Sequence, residues 1–585
     1  MFSLISRNKF SEFERLFFGI DRDVDESAAV QILEKEAKEN YESLAILSFC
    51  YEFGIGVHRN IKKAEYGYMI SSSKNSGLAL VRLTFLRKFG RPNVRIDRLE
   101  AQILQNKLRA IGSASVAWLE KAAKLGNSYA QYCLGTCYHD ALGVRRCTKR
   151  SIEWYTRSAA QHNPCAIGVL GFCYLEGFGV EKDEYRAFVL YLQAARMNDP
   201  VATYNMGFCY EEGKGTDKNI KYAFLWYKRA AEMGNPFAQN SLGYCYEEGL
   251  GTEKDEDKAF ALYRASALQG YPWAQSNLAY CFQQGIGVQK DLKKSFEWYE
   301  RAAIQGLSRA QHNLGHCYHQ GMGTDKNVTE AVMWYRRAAK QKNLYAFHSL
   351  GNCYQNGEGV PKDEREAVRF YKLAALKNFV PSLISLSFCY RLGLGVDTNA
   401  LSSFYYMKKA AELRNAYAQN CLAFFYEEGY GTKRNINLAI MWYTKSASAN
   451  NPWAQTNLGT IYFEGIHVPM DREKAVYYFK LAANQGHSRA YSKLGYCYEE
   501  GIVVHKNPSI AFSYYSKAAE QGYNRAYYAL GKCYERGFGI SVNMNQALSY
   551  FYKGSFYGDL RAREKMKKIL GRCLINECKM FAKCA

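Results

Sequence analysis

The stretch PFAQNSLGYCYEEGLGTEKDEDKAFALYRASALQG, at Pro236–Gly270, decides the fold of this chain. Its first half carries apolar residues at helical spacing, at Ala238, Leu242, Cys245 and Tyr246. Gly249 and Gly251 then end the helix, because glycine adopts the positive φ of a helix C-cap at no steric cost. A second apolar set at helical spacing follows a polar loop, at Ala259, Leu262, Tyr263 and Ala267. The stretch therefore predicts two short helices joined by a Gly-rich turn.

The same pattern recurs along the chain with one fixed period. With Leu242 as position zero of the unit, the equivalent residues follow in steps of 36: Leu134, Leu170, Met206, Leu242, Leu278, Leu314, Leu350, Leu386, Leu422, Leu458, Leu494 and Leu530. Leu47 and Leu83 mark two more divergent copies. Neither helix of a copy can bury its apolar face alone, so neighbouring copies must stack. The sequence predicts an all-α solenoid of about 14 helix-turn-helix repeats of 36 residues.

Small residues at fixed places indicate close packing within each copy. Gly243, at position +1, is expected to let another backbone approach the first helix closely. A small pair in the second helix, such as Ala230-Ala231 or Ala302-Ala303, favours a tight helix crossing. Position +4 and the second helix supply large aromatic residues to the same core.

The repeats divide the chain into four parts. Residues 1–40 are predicted to form an N-terminal cap, and 41–133 two divergent repeats with a basic insert near 91–110 that lengthens a loop or a helix. Residues 134–558 hold the regular repeats. Residues 559–585 are predicted to form a basic, cysteine-bearing C-terminal cap and tail, with a helix to about Leu570. The caps are needed because an end repeat has no neighbour to cover its apolar face.

The combined pattern A-x-x-x-L-G-x-C-Y-x-x-G-x-G-[VT]-x-x-[DN]-x-x-x-A-x-x-[WYL]-Y-x-x-A-A resembles the Sel-one-like repeat family, over roughly Tyr41–Tyr557. That family is a tetratricopeptide-like helical repeat, and the resemblance implies a right-handed α-solenoid. It also implies an adaptor or assembly scaffold, as in ER-associated degradation complexes or activators of fungal chitin synthase. Unlike the first group, this chain has no predicted signal peptide or membrane anchor. Unlike many of the second, it ends in Ala582-Lys583-Cys584-Ala585 and not in a prenylation box.

Charge and cysteine usage bound the possible partners and compartments. The net charge is +22, and half of it lies outside the regular repeats, in 87–109 (+5) and 561–585 (+6). The rest is spread thinly, which disfavours nucleic acid as a partner. Eleven of the 18 cysteines share position +3: Cys50, Cys137, Cys173, Cys209, Cys245, Cys281, Cys317, Cys353, Cys389, Cys497 and Cys533. Copies one repeat apart are too distant for disulfides, so we expect buried free thiols and a reducing compartment, the cytoplasm first.

The C-terminal tail offers an alternative membrane contact. Cys573, Cys578 and Cys584 lie among basic residues, and palmitoylation beside a polybasic segment would anchor the tail to an anionic membrane. The competing interpretation is a disordered tail with ordinary thiols. The sequence contains no run of about 18 apolar residues, so it predicts no transmembrane helix.

Two recurring motifs have a chemical and a structural interpretation. Gly-x-Gly could cradle a phosphate, but it follows a helix and lacks a Gly-Lys-Ser, which favours a helix C-terminal turn. His312, His316 and His319 share one helix face, where two of them suit zinc; no third ligand is evident, which favours solvated histidines or a pH-dependent partner contact. We therefore predict no metal site and no cofactor.

The outward face of the first helices is the predicted partner-binding site, because the resemblance implies that these helices line the concave surface. Position +2 is aromatic in most copies, and aromatic residues dominate interface hot spots. The predicted site residues are Phe172, Phe208, Asn240, Tyr244, Tyr280, His312, His316, His319, Phe388, Phe424 and Tyr496. Polar companions at −2 and +5 include His348, Asn420, Glu211, Glu247 and Glu427. The alternative is that +2 packs, half-buried, against the neighbouring first helix.

The sequence carries no nucleophile–base pair, HExxH, GxSxG or P-loop, and paired carboxylates such as Glu211-Glu212 are expected to be solvated helix ends. We therefore predict a non-catalytic scaffold that binds partner protein segments on its concave helix face. The alternatives are a peripheral membrane regulator, for example of chitin synthase, and a nucleic-acid-associated solenoid using the basic insert. A nuclear or peripheral membrane location accompanies those alternatives.

Overall fold

The computed structural model of the chain describes residues 10–465 and 467–581, with 571–581 described by their backbone. Over these residues the regular elements are helices, and successive helices pack as antiparallel pairs joined by short turns. The predicted all-α fold of helix-turn-helix repeats is confirmed. The chain divides into two compact units, Met1–Ala346 and Phe347–Ala585.

Unit 1 contains the divergent repeats and the first regular ones. Its helices are α1 (Glu12–Phe18), α2 (Glu26–Glu36), α3 (Tyr41–Phe53), α4 (Ile61–Ser73), α5 (Gly77–Phe89), α6 (Arg98–Ile111), a 3-10 helix (Gly112–Val116), α7 (Ala117–Lys124), α8 (Ser128–Asp140), α9 (Thr148–Ala160), α10 (Pro164–Glu176), α11 (Glu184–Arg196), α12 (Pro200–Glu212), α13 (Ile220–Glu232), α14 (Pro236–Glu248), α15 (Glu256–Leu268), α16 (Pro272–Gln284), α17 (Leu292–Ile304), α18 (Ser308–Gln320) and α19 (Val328–Lys340).

The helices from Leu344 onward continue the same alternation. They are α20 (Leu344–Asn356), α21 (Glu364–Ala375), α22 (Val380–Leu392), α23 (Ala400–Glu412), α24 (Ala416–Glu428), α25 (Ile436–Ser448), α26 (Pro452–Glu464), α27 (Arg472–Asn484), α28 (Ser488–Glu500), α29 (Pro508–Glu520), α30 (Asn524–Arg536), α31 (Met544–Phe556) and α32 (Leu560–Phe581). From α8 onward the even-numbered helices up to α30 are the first helices of the repeats, and the odd-numbered ones are the second helices.

Capping residues fix both ends of the helices in a repeat. In α14 the Asn235 side chain accepts a hydrogen bond from the Ala238 backbone N–H at 3.0 Å, and Pro236 occupies the first turn, where no N–H is needed. The helix ends at Gly249, whose φ of 71° is left-handed. Asp255 then caps α15 by accepting from Lys258 N at 2.9 Å. The predicted turn at Gly-x-Gly is confirmed.

The core of most repeats contains a ring packed on a glycine. Tyr263 of α15 is fully buried, and a Cβ placed on Gly243 of α14 would lie 2.9 Å from its ring. The close approach predicted at Gly243 is therefore made mainly by the tyrosine ring, and a backbone carbonyl comes second. Where α22 has Ser387 in place of the glycine, α23 carries the unbranched Met407 in place of the tyrosine. The two positions fill one space, although alanine also takes the place of the glycine in the copies that keep Tyr299 and Tyr443.

The second glycine of Gly-x-Gly serves the contact between repeats. Gly323 has a φ of 73°, and a Cβ on it would overlap the carbonyl oxygen of Leu292, which begins the second helix of the preceding repeat. Gly287, Gly395 and Gly431 meet the preceding second helix in the same way. The motif thus combines a helix end with a contact that only glycine permits.

The additional residues of the divergent repeats lie after α6. Helix α6 begins 15 residues after Leu83, close to the 14 that separate Leu242 from the start of α15, and it packs against α5, so it is the second helix of that copy. The residues beyond the 36-residue period form the 3-10 helix and α7, and not a longer loop or helix near 91–110 as expected. The loop before α6 also reaches a distant repeat, because Ile96 N donates to Gln269 O at 2.8 Å and Asn93 N to Gln269 Oε1 at 2.8 Å.

The described cysteines are free thiols, and those at position +3 are buried. Burial raises the pKa of the Cys353 and Cys389 thiols to about 11 and that of Cys209 to about 12. These thiols act as small apolar groups of the core, as predicted.

At the C-terminus, the helix expected to end near Leu570 continues to Phe581. Cys573, Cys578 and Cys584, the basis of the predicted lipid anchor, have side chains outside the described residues. Over the described part of the chain, no helix is both long and apolar enough to cross a bilayer.

Candidate interaction face of the first helices

The aromatic side chains at position +2 keep substantial contact with solvent. Tyr244 is 46% exposed and Tyr280 38%. Phe172, His316, Phe424 and Tyr496 are exposed, whereas Phe208 and Phe388 are half-buried. The alternative in which the +2 side chain is half-buried therefore applies to two of these positions. The other six present an accessible surface. Their role in binding stays a prediction.

A second aromatic row lies on the same face and was not noticed in the sequence. It occupies position −5, seven residues before +2, and seven residues are close to two helical turns. Its exposed members are Trp273, Tyr345, Tyr417 and Trp453, the last of them 56% exposed. The sequence contains the signal for this row. Aromatic residues recur at −5 in several copies of the 36-residue unit, as they do at +2, and two positions seven residues apart lie on one face of a helix. We call the side chains at −5, −2 and +2 of the first helices the interaction face.

Asparagines at position −2 connect neighbouring first helices. Asn240 accepts a hydrogen bond from Asn277 Nδ2 at 3.0 Å, and Asn420 accepts from Asn457 Nδ2 at 3.2 Å. Both are half-buried. Asn240 therefore contributes to the stacking of repeats as well as to the face.

The carboxylates at position +5 are not the solvated groups predicted from the sequence. Tyr263 Oη donates to Glu247 at 2.6 Å, and Tyr443 Oη donates to Glu427 at 2.7 Å. Tyr227 bonds Glu211 in the same way. Burial, followed by the hydrogen bond to the carboxylate, raises the pKa of these tyrosine hydroxyls. The Glu at +5 satisfies the one polar atom of the buried tyrosine, so it belongs to the structure of the repeat.

The three predicted histidines share one face of α18 but differ in exposure. His316 is exposed, and His312 and His319 are half-buried beside the ring of Tyr335, at 5.5 and 6.3 Å between centroids. Partial burial, and then His319, lowers the pKa of His316. Within the described residues, no group of three or more His, Cys, Asp and Glu side chains is arranged to hold a metal ion.

Unit 1 carries an apolar cavity of about 330 Å³ on the interaction face. First helices α8, α10, α12 and α14 contribute to it, together with the end of α5. Its apolar lining includes Phe85, Phe89, Val169, Phe172, Val201 and Phe237. Phe172 was predicted from position +2, and Val201 and Phe237 come from position −5. The cavity thus joins both rows of the face.

Buried polar groups form one wall of this cavity. Arg91 donates from Nη2 to Tyr132 Oη at 3.0 Å, and Asp199 accepts from the Ala202 N–H at 2.7 Å at the start of α12. Burial raises the pKa of Asp199, although Arg91 opposes the shift. Arg91 lies at position +8, just after the end of α5, where the other repeats carry no arginine. Periodicity therefore could not reveal this wall.

His487 supports the face in unit 2 and predicts a pH effect. Its ring lies 4.5 Å from that of Trp453, Nδ1 meets Thr456 Oγ1 at 2.8 Å, and Nε2 has no partner among the described residues. Burial, and then Arg489, lowers the His487 pKa from 6.5 to about 4. The folded state thus disfavours the proton that the unfolded state binds below pH 6.5, so stability falls as the pH drops toward 4.

We expect lowering the pH from 7 to 5 to reduce the free energy of unfolding around α26–α28 by roughly 2 kcal/mol through His487. Urea denaturation at both pH values measures the effect. His487→Asn, which places a common cap residue before α28, should shrink the pH dependence, while the exposed His505→Asn should keep it. Equal pH dependence in all three proteins would contradict the assignment.

The sequence profile of the Sel1 repeat matches fourteen segments of the chain: residues 42–66, 113–127, 128–163, 168–199, 200–235, 236–271, 274–307, 308–343, 346–379, 380–415, 416–451, 454–487, 488–523 and 524–555. The matched segments omit most of the insert. A comparison with curated proteins gave no match.

Solved structures with similar chains include three bacterial proteins. The protective antigen c5321 of uropathogenic Escherichia coli, described as displaying an SLR fold, is 31% identical over 72% of this chain and 90% of its own, with a TM-score of 0.52. A Sel1 repeat protein from Oxalobacter formigenes is 27% identical over 54% and 92%, with a TM-score of 0.38. Immunity protein Pa5087 of Pseudomonas aeruginosa is 23% identical over 44% and 83%, with a TM-score of 0.27.

Proposed function

The chain belongs to the Sel1 repeat family, whose members generally serve as protein-interaction scaffolds, and we propose that it binds segments of partner proteins on the interaction face of its first helices. The observation that carries the proposal is the exposure of aromatic side chains at −5 and +2 of successive copies. Large aromatic residues are rarely left exposed in regular rows, and they supply most hot spots of protein interfaces.

The cavity of unit 1 gives this face a place for an anchor. Phe172, Val201 and Phe237 offer apolar surface from three successive first helices. Its volume of about 330 Å³ lies at the lower end of the range of small ligand sites, which suits one large apolar side chain of a bound segment. We propose that the partner segment inserts such a side chain here and lies across the neighbouring aromatic residues.

The burial of the recurring cysteine thiols supports a non-catalytic role. The thiols that recur at position +3 are buried with raised pKa values, so the reactive thiolate is disfavoured. Free thiols along the repeats support a reducing compartment such as the cytoplasm.

We expect the double variant Tyr244→Ala, Tyr280→Ala to lose partner binding by about tenfold or more, because two adjacent exposed anchors are removed. Thermal stability should change little, since both rings are partly solvated in the folded chain. Proximity labelling in the native cell would identify the partners, and quantitative labelling would compare the variants.

The matched control removes two exposed tyrosines from second helices of the same unit, as Tyr185→Ala, Tyr222→Ala. Partner labelling should survive in this control. Equal loss in both double variants, or a large fall in melting temperature with unchanged labelling in the first, would contradict the proposed face.

A further inference from the structure

We propose that unit 1 contains a binding site for a compact polyphosphate group, in the cavity between the end of α6 and the start of α9. This site is separate from the interaction face. The cavity measures about 720 Å³, within the range of small-molecule sites. Four arginines line it: Arg109, Arg145, Arg146 and Arg150. Glu120 is the single carboxylate among the lining residues, which leaves a net charge of +3.

The arginines come from separate parts of the chain. Arg109 lies in the last turn of α6, whereas Arg145 and Arg146 lie in the loop before α9 and Arg150 in its first turn. All four side chains are exposed, and within the described residues none of them forms an ion pair. The cluster therefore combines cations from two copies of the repeat.

In three other repeats a glutamate neutralises the cation of this loop, and no such carboxylate is present here. The loop lysine Lys182 pairs with Glu184 at 2.9 Å, and Lys254 pairs with Glu256 at 2.9 Å. In the repeat of α8 and α9, the residue equivalent to the lysine is Arg146 and the residue equivalent to its glutamate partner is Thr148. This repeat therefore has the loop cation without a glutamate partner, as do the repeats that carry Lys218 and Lys290.

The helix cap has changed in the same repeat. Asp183 and Asp255 cap the following second helices by accepting from backbone N–H groups at 2.8 and 2.9 Å. The equivalent residue before α9 is Cys147, whose side chain makes no capping hydrogen bond. The first N–H groups of α9 thus lack the usual side-chain acceptor at a helix end that already favours anions. Cys147 and Arg150 place this helix end in the lining of the cavity.

Neutral and aromatic contacts hold the arginines in place without cancelling their charge. Arg150 Nη1 donates to Tyr138 Oη at 3.1 Å, and Tyr138 Oη donates to Glu120 at 3.4 Å. The Arg146 guanidinium lies 5.2 Å from the ring centroid of Phe178. Pre-positioned arginines lose less conformational freedom when they bind an anion.

The chemistry of the lining selects the ligand. Arginine forks bind phosphate oxygens through paired hydrogen bonds, and an uncapped helix start binds them through backbone N–H groups. Four arginines around one cavity match a ligand with several adjacent phosphates better than a single phosphate. The cations line a concavity and not an extended stripe, which favours a compact soluble ligand over a nucleic acid strand.

Isothermal titration of the full chain with sodium tripolyphosphate tests the site. We expect binding that weakens as salt rises from 50 to 200 mM, since the contacts are charged. Arg145→Ser, Arg146→Ser should weaken binding by about tenfold or more. The control Lys182→Ser, Lys218→Ser makes the same change of charge in the equivalent loops of later repeats and should leave binding intact.

Cys147→Asp separates binding from folding. An aspartate restores the cap found in other repeats, so the variant should be as stable as the parent or more stable. It also adds a negative charge to the cavity, so tripolyphosphate binding should fall. Binding that is unchanged in Cys147→Asp, or lost equally in the lysine control, would overturn the site. Tighter binding of a short RNA, or of vesicles containing phosphatidylinositol bisphosphate, than of tripolyphosphate would overturn the assignment to a soluble polyphosphate.

Discussion

Replacing Arg82 with methionine is expected to lower the free energy of unfolding of the N-terminal repeats by roughly 3–5 kcal/mol. Arg82 of α5 and Glu52 of α3 form an ion pair in which both side chains are 1% exposed. Arg82 Nε donates to Glu52 Oε2 at 3.0 Å, and Nη2 bonds the other carboxylate oxygen. The substitution leaves Glu52 as a buried charge whose nearest remaining donor is Tyr68 Oη, at 2.9 Å.

The variant should also change its response to pH. Burial alone would raise the pKa of Glu52, but the Arg82 guanidinium outweighs burial and holds that pKa below its ordinary value. In the parent chain, Glu52 therefore contributes stability above the pKa of an unfolded glutamate, and this is lost as the pH falls through the folded pKa. Without Arg82, the folded pKa should rise above the unfolded one. The variant should then regain part of its stability on mild acidification, the opposite sign to the parent.

Hydrogen exchange of peptides from α3, α4 and α5 measures the loss where it occurs, and peptides of unit 2 serve as an internal control. The double variant Glu52→Gln, Arg82→Met removes both charges and should recover much of the stability, because the uncompensated carboxylate causes most of the damage. Unchanged exchange in Arg82→Met, or no recovery in the double variant, would show that the pair is not what holds these helices.

This ion pair marks the limit of what the repeat pattern can predict. Position and period identified the helix pairs, the Gly-x-Gly turn and the buried thiols, because each recurs in most copies and has one physical explanation. Glu52 lies at the recurring position +5, but Arg82 has no counterpart in the other copies. Arg91 and Ile96 lie in the loop between α5 and α6, and the contact of Ile96 with Gln269 spans several repeats. The local sequence does not predict a contact between residues so far apart in the chain.

The carboxylates at +5 were also predicted wrongly, but for a different reason. The sequence itself contains the pairing of most of these carboxylates with a buried tyrosine. Glu247 and Tyr263 are sixteen residues apart, and the same spacing separates Glu427 from Tyr443. Where Phe479 replaces the tyrosine, Phe463 replaces the carboxylate, and the two rings lie 6.1 Å apart. A buried hydroxyl requires an acceptor and a phenyl ring does not, which accounts for this joint change. The match is not general, because Leu175 stands sixteen residues before Tyr191 and Glu535 sixteen before Phe551. Comparing pairs of positions across copies would have separated these structural residues from the exposed ones at +2 and −5.

The second large effect is expected from Gly323→Ala, at the contact between two repeats of unit 1. Gly323 has a φ of 73°, which costs an alanine roughly 1–2 kcal/mol by itself. The added Cβ would also overlap the carbonyl oxygen of Leu292 at the start of α17. That carbonyl belongs to a helix backbone and cannot rotate away like a side chain, so the two repeats must separate. We expect a total loss of about 3 kcal/mol or more.

Gly306→Ala is the matched control that separates the two causes. Gly306 has a φ of 88°, and a Cβ on it would meet no atom within 4 Å, so its cost should be the backbone strain alone. Hydrogen exchange of peptides from α17, α18 and α19 should show greater loss of protection in Gly323→Ala than in Gly306→Ala. If the two variants lost equal protection, the second glycine of the motif would serve only its own backbone conformation. A larger loss at Gly323 would mean that this glycine sets how closely one repeat stacks on the next. It would then be needed for the regular spacing of the aromatic rows on which the proposed binding depends.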